Sequence, residues 1–394
     1  MRAYVFTDAS LSSQAGRFVW LAIDTEKPGN AALRKKLQIS ALPSFFVLDP
    51  ADERVALRWV GGATAPHLNR ILDDGRVAVA SGSTAGALRA AMSPADRALS
   101  RADSLYGRAE YGSAAEAYEN AIHAAPAGWS RYGRTVESLL YALAQTDSSE
   151  RCARTALEAY PRLKRSPSTA NIAGSGLDCA LSLPDANPNR AELVAALEPI
   201  ARSVAADRSL PMAADDRSGV YITLLDARKA ANDSVGAHQV ALAWSAFLDG
   251  EAARAKTPEA RAVFDPHRLS AYLELGQPER AIPMLQASEK DFPNDYNPPA
   301  RLANAYKALK RWNEALAASD RAMAKAYGPR KLLYYQNRTD IYVGLADSTA
   351  ARRTLEEAIA FAEALPPGQR SETTIASLKK KRAAMGDGVA STSH

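Results

Sequence analysis

Sulfur and histidine are scarce in this chain. Its 394 residues hold two cysteines, Cys152 and Cys179, and five histidines. Two cysteines cannot build a disulfide framework, and here they supply neither a CxxC pair nor four zinc ligands. The histidines at 67, 123, 238, 267 and 394 stand singly, with no HxxH or HExxH spacing to put two imidazoles on one helical face. No metal and no cofactor is therefore expected. No apolar run approaches the roughly 18–20 residues that span a bilayer, and no charged n-region with an apolar stretch opens the chain. GxxxxGK[ST], GxSxG and GxGxxG are missing, so nucleotide hydrolysis and serine-hydrolase chemistry have no foothold. The net charge of +5 is spread too thin to imply nucleic acid.

What is there is ordinary globular composition, 47% hydrophobic and 24% charged, in a length that suits two or three structural units. Residues 17–74 alternate like an α/β unit. Phe18 to Ile23 is an apolar run of strand length, with Pro28-Gly29 as the turn beyond it. Asn30 to Leu37 has helical spacing, and Pro43 ends the helical possibility. Ser44 to Leu48 predicts a second strand, Asp49-Pro50-Ala51-Asp52 a turn, and Val55 to Val60 a third strand in a hairpin with the second. Gly61-Gly62 then breaks the chain before a helix from about Ala65 to Leu72.

The succession "FVWLAIDTE", "LRKKLQISALPSFFVLDP" and "VALRWVGG" resembles the later two thirds of a thioredoxin-like domain, over about residues 1–75. The resemblance implies that Pro43, with Leu42 and Ser44, forms the family's cis-proline loop, which binds extended substrate backbone. It also exposes a departure. The family's redox cysteines precede "FVWLAID", and residues 1–100 contain no cysteine. Met1 to Phe6 reads as the tail of the redox helix, and Met1 as an internal methionine of a longer reading frame. Disulfide exchange needs an attacking and a resolving thiol, so this segment as written cannot perform it. In the family a further strand lies between those at 18–23 and 44–48. Without it, the two must pair directly or the segment is loose.

From about residue 95, after a linker at 76–94, strand-like runs give way to amphipathic helices. Tyr272, Tyr306 and Tyr342 recur at intervals of 34 and 36, together with Leu275, Leu309, Leu345 and with Ala281, Ala315, Ala351. This grammar resembles the tetratricopeptide repeat, in which small residues sit where paired helices cross. The resemblance is clearest at 95–128, 262–295, 296–329 and 332–365. In the first of these, Ala102, Ala114, Tyr118, Ala121 and Pro126 fall at the small, small, aromatic, small and terminating positions. A degenerate copy occupies 129–162 (Leu140, Ala153, Ala156, Pro161), and 168–205 and 214–252 read as further helix pairs. The expected fold is an α/β thioredoxin-like remnant followed by an all-α superhelical solenoid of six or seven hairpins over 95–367. A helix end and a disordered tail should fill 368–394.

The resemblance implies a peptide or partner protein in the repeat groove, with Arg301, Asn304, Lys307, Asn337 and Arg338 as candidate inward residues. Cys152 and Cys179 fall on adjacent helices, where a disulfide or two buried thiols would both fit. Lys379-Lys380-Lys381-Arg382 closes the last helix, where cations suit the dipole. The first expectation is a non-catalytic interaction module; the alternative is a thiol–disulfide oxidoreductase whose CxxC lies upstream and whose repeats select substrate. A third is a scaffold in which the α/β segment caps the first helix pair. Cytoplasm is the default address, an extracytoplasmic one following if the N-terminus lies upstream.

Overall fold

A computed structural model describes residues 5–83 and 92–385. In chain order they form α1 (Ala31–Lys36), the strands β1 (Ser44–Leu48) and β2 (Val55–Val60), and α2 (Ala65–Ser83). Helical hairpins follow: α3 (Pro94–Gly107) with α4 (Tyr111–His123), α5 (Tyr132–Ala144) with α6 (Ser149–Leu163), and α7 (Thr169–Leu181) with α8 (Arg190–Ala206). Next come α9 (Ala214–Ala230) with α10 (Ser234–Arg254) and a short α11 (Pro258–Ala262). The last pairs are α12 (Asp265–Glu274) with α13 (Ala281–Asp291), α14 (Asn297–Ala308) with α15 (Trp312–Lys325), and α16 (Lys331–Gly344) with α17 (Ser348–Ala364), before α18 (Glu372–Ala384). Two compact units emerge: residues up to Val19 with Gln38–Trp244, and Trp20–Leu37 with Ser245 onwards.

The 34-residue rhythm has a backbone cause. In each of the three clearest C-terminal hairpins the first helix ends on a residue with positive φ, namely Gly276, Lys310 and Ala346. The amide one residue further on donates back to the recurrent tyrosine carbonyl: Gln277 to Tyr272 at 2.8 Å, Arg311 to Tyr306 and Asp347 to Tyr342 at 2.9 Å. This is the six-to-one bond of a Schellman cap, which satisfies an otherwise orphaned helix carbonyl. Ala109, Asp147 and Asn232 close α3, α5 and α9 in the same way. Ala281, Ala315 and Ala351 lie on the second helices and are fully buried, so the helices of each pair approach at a methyl group. Tyr272 and Tyr306 are buried beside them, whereas Tyr342 is only half-buried.

In the first unit, β1 and β2 pair antiparallel, with Phe45 opposite Trp59 and Val47 opposite Leu57, and the Leu42–Pro43 peptide is cis. One face of the hairpin packs Val47, Leu57 and Trp59 on Leu68, Ile71 and Leu72 of α2. Arg58 on the other face is fully buried; it donates to the Gln38 carbonyl at 3.1 Å and lies 5.4–5.8 Å from the ring centres of Phe46, Tyr106 and Tyr111. A strand covered on both faces explains why Val55–Val60 reads as nearly continuous apolar sequence.

Several expectations need correction. Phe18–Ile23 forms no strand: it runs as irregular backbone with Val19 89%, Trp20 49% and Leu21 75% exposed. Strand character needs a ladder partner, and among the described residues β1 pairs with β2 alone. The helix expected to stop at Leu72 continues to Ser83, into the span read as linker, because Ile71, Gly75 and Ala78 stay buried along one face. Residues 84–91 of that span, the start of Met1–Phe6 and the tail from 386 lie outside the described residues. Pro161 does not end its helix but sits within the last turn of α6. Residues 372–384 form a separate helix capped by Ser371, not the end of the preceding one.

Candidate functional site

The first helices of the C-terminal hairpins carry the residues singled out for a groove. Lys307 on α14 pairs with Asp340 at 3.3 Å, and Arg338 on α16 is held by Asp320 and by the Tyr342 hydroxyl. Those two cations are already neutralised. Arg301 differs: burial pulls its guanidinium below the ordinary value, and among the described residues no carboxylate lies within ion-pair distance of it. On the next first helix, the Asn337 side-chain carbonyl is buried without a hydrogen-bond donor. Asn304 stands one turn along α14 from Arg301 and is half-buried. An underpartnered guanidinium and an unsatisfied amide invite polar groups from outside, because a buried polar atom left unpaired is costly. The Lys379–Arg382 run offers less, since Lys379 pairs with Glu363, Lys381 with Asp340 and Arg382 with Glu356.

A second surface in the same unit was not foreseen. The turns between hairpins hold the segment Asp24–Leu37. Tyr327 donates its hydroxyl to Asp24 Oδ2 at 2.6 Å, and the Arg330 amide, at the start of α16, donates to Glu26 Oε2 at 2.7 Å. Gln369 donates its side-chain amide to the carbonyls of Thr25 at 2.8 Å and Lys27 at 3.1 Å. The hydrogen bond to Asp24 pushes the Tyr327 hydroxyl up to about 12. Two glycines make room. A Cβ on Gly328 would lie 2.3 Å from the Glu26 carbonyl oxygen, and one on Gly368 would lie 2.5 Å from that of Ala31. Both have positive φ, so only glycine serves there without strain. The sequence held this signal in the Gly-Pro and Pro-Pro-Gly stretches "AYGPRK" and "LPPGQR".

The first unit contains a buried ionic cluster. Arg134 on α5 grips Asp103 of α3 through both terminal nitrogens at 3.0 and 3.1 Å and reaches Asp74 of α2 at 2.9 Å. Arg131 joins Asp74 at 2.7 Å to Asp96 at 3.1 Å, and Tyr118 donates to Asp103 at 2.9 Å. The three aspartates and two arginines line a cavity of about 260 Å³ with Val77, Ala78 and Leu99. Single-sequence reading missed the cluster, though Asp96 and Asp103 lie two turns apart on one helix face and Arg131 and Arg134 one turn apart on another. Nearby, burial lifts Glu137 to about 7 and Asp216 to about 6, and it lowers His67 to about 4.

Leu42 and Pro43 are exposed at the head of β1, where the Ser44 hydroxyl donates to the Ala41 carbonyl at 2.6 Å and the Pro43 carbonyl accepts from the Gly61 amide. Cys152 on α6 and Cys179 on α7 are joined in a buried disulfide. Among the described residues no group of three or more His, Cys, Asp or Glu side chains could hold a metal ion, and no helix is long and apolar enough to cross a membrane.

No curated protein sequence matches the chain. Similar solved structures include a tetratricopeptide repeat protein from Parabacteroides merdae, 13% identical, spanning 74% of this chain and 99% of that one with a TM-score of 0.43. A chain of the APC/C hetero-tetramer Cut9-Hcn1 is 14% identical over 83% of this chain and 56% of its own, with a TM-score of 0.33. Residues 272–330, from the end of α12 to the turn after α15, match the tetratricopeptide repeat family.

Proposed function

We propose that this protein is a non-catalytic interaction module that binds a peptide or partner protein on the first-helix face of its C-terminal repeats. The observation that carries the reading is Arg301: a largely buried guanidinium inside the matched repeats, whose nearby carboxylates Asp265 and Asp295 stay beyond ion-pair distance. Asn304 and the unsatisfied Asn337 carbonyl flank it on the same and the next first helix, so a bound backbone would meet donors and an acceptor together. Lys307 and Arg338 act as shaping residues, since each already has an acidic neighbour.

We read residues 38–83 as a thioredoxin-like segment serving as a cap on the first hairpin. Its support is the buried Arg58 against Tyr106 and the Asp74–Arg134–Asp103 bridge. Peptides selected from a random display library on the full chain test the binding reading. Arg301→Ala should weaken the selected peptides at least about tenfold, the worth of one charge-assisted hydrogen bond. Undiminished binding to that variant would move the site elsewhere, and insulin-disulfide reduction above the buffer rate would overturn the non-catalytic part.

A further inference from the structure

The segment at 24–35 is built like a ligand. Its hydrogen bonds to the rest of its unit are directional, with Ala31 as the buried apolar residue beside them. Asp24 and Glu26 present two carboxylates, and the Thr25 and Lys27 carbonyls between and beyond them both accept from one buried amide, Gln369. The segment is also organised within itself. Asp24 Oδ1 accepts from the Glu26 amide at 2.9 Å, the Asn30 side chain donates to the Asp24 carbonyl at 2.8 Å, and Arg34 faces Glu26 at 3.8 Å. The receiving surface matches in charge, offering a helix-start amide at Arg330 and a phenol at Tyr327, both donors. Two positive-φ glycines, Gly328 and Gly368, in successive inter-hairpin turns let the segment's backbone come within contact distance. Its apolar anchoring is small, Ala31 being the buried apolar residue within 24–35, while Leu21 and Ile23 just before it remain exposed.

We propose that the edge formed by the turns before α16 and α18 is a recognition surface for an acidic turn peptide of the pattern Asp-X-Glu-X-Pro, and that Asp24–Pro28 occupies it in cis until such a partner displaces it. The surface is separate from Arg301 and the first-helix face, so either reading can fail without the other. Tyr327 and the Arg330 amide select the two carboxylates, and Gln369 holds the backbone between and beyond them. A neutral peptide would leave the phenol and the Arg330 amide without their anionic acceptors.

The test uses the full chain and a fluorescein-labelled synthetic peptide of residues 20–37, followed by anisotropy. Asp24→Asn with Glu26→Gln in the chain should open the surface and tighten peptide binding at least tenfold over the parent. Adding Tyr327→Phe and Gln369→Ala should abolish that gain, and a peptide carrying Asn and Gln at the two acidic positions should not bind. Equal binding to parent and opened chain, or a gain indifferent to Tyr327 and Gln369, overturns the proposal. Should the opened chain melt early, hydrogen exchange of the parent with excess unlabelled peptide decides. Faster exchange at 24–35 supports displacement, and unchanged exchange overturns it. A concentration-dependent dimer that the peptide dissolves would assign the surface to a second copy and overturn the trans-peptide assignment.

Discussion

The two halves of the N-terminal α/β segment are held by different physics. Residues 38–83 are fixed within the first unit by a strand buried on both faces and by an ion cluster in which Arg134 and Asp103 are 6% and 3% exposed. Residues 24–35 are held within the second unit by exposed hydrogen bonds from Tyr327 and Arg330 and by the buried amide of Gln369, with Ala31 the buried apolar residue among them. Breaking a buried pair strands a charge in low dielectric, whereas breaking an exposed one exchanges it for hydration. The second attachment, with two of its bonds exposed and no buried ion pair, should therefore open more readily than the first. A chain read in sequence as one small domain thus contributes a welded piece and a releasable one.

The sharpest way to break this comparison is at Arg134. Alanine there leaves Asp103 buried with the Tyr118 hydroxyl but no cation, while Asp74 keeps Arg131, and should cost roughly 3–5 kcal/mol in urea unfolding of the first unit. The hydrogen exchange of 24–35 should not change. Next comes the disulfide. Serine at both Cys152 and Cys179 frees a loop between α6 and α7 and should cost about 3 kcal/mol in the same transition. That loss also leaves the second unit untouched.

Glu137 gives the comparison a pH axis. Its folded value, raised by burial to about 7, exceeds the unfolded value of about 4.5, so the folded state holds the extra proton between them. Stability from this group is present at low pH and is lost as pH rises through 7. Glu137→Gln should therefore gain on the parent by at most about 3 kcal/mol between pH 4.5 and 7.5, read from paired urea curves. His67 acts oppositely, its value lowered by burial to about 4, so its penalty fades as pH rises through the unfolded value; it cancels in the paired difference. The smallest effect belongs to Tyr327→Phe. Loss of one exposed hydrogen bond, worth about 1 kcal/mol or less, should quicken exchange around Glu26 a few-fold without shifting the melting temperature.

Much of the helical fold was legible because it repeats: tyrosines at 272, 306 and 342 mark the carbonyls that cap the first helices, and alanines at 281, 315 and 351 mark the close crossings. Ser44–Leu48 and Val55–Val60 were legible because each supplies the other's ladder. Phe18–Ile23 was misread for the complementary reason. An apolar run states that a segment resists water, but only a partner edge makes it a strand, and that edge is a property of the whole fold. The groove residues were legible by helix position alone. Which of them were already neutralised depended on Asp320 and Asp340, one on a second helix and one on the neighbouring first helix. Tyr327, Gln369 and their acidic occupant were hidden because the contact joins residues some 300 apart in sequence, where no periodicity reaches.

Amide hydrogen exchange across the full chain tests the two-attachment account most directly. It should show the amides of Lys27 and of α1 opening roughly a hundredfold more readily than the ladder-facing amides of Phe45, Val47, Leu57 and Trp59, while the whole chain remains folded. Equal protection in the two segments would contradict it, and would make residues 24–35 as permanent a part of their unit as the β-hairpin is of its own.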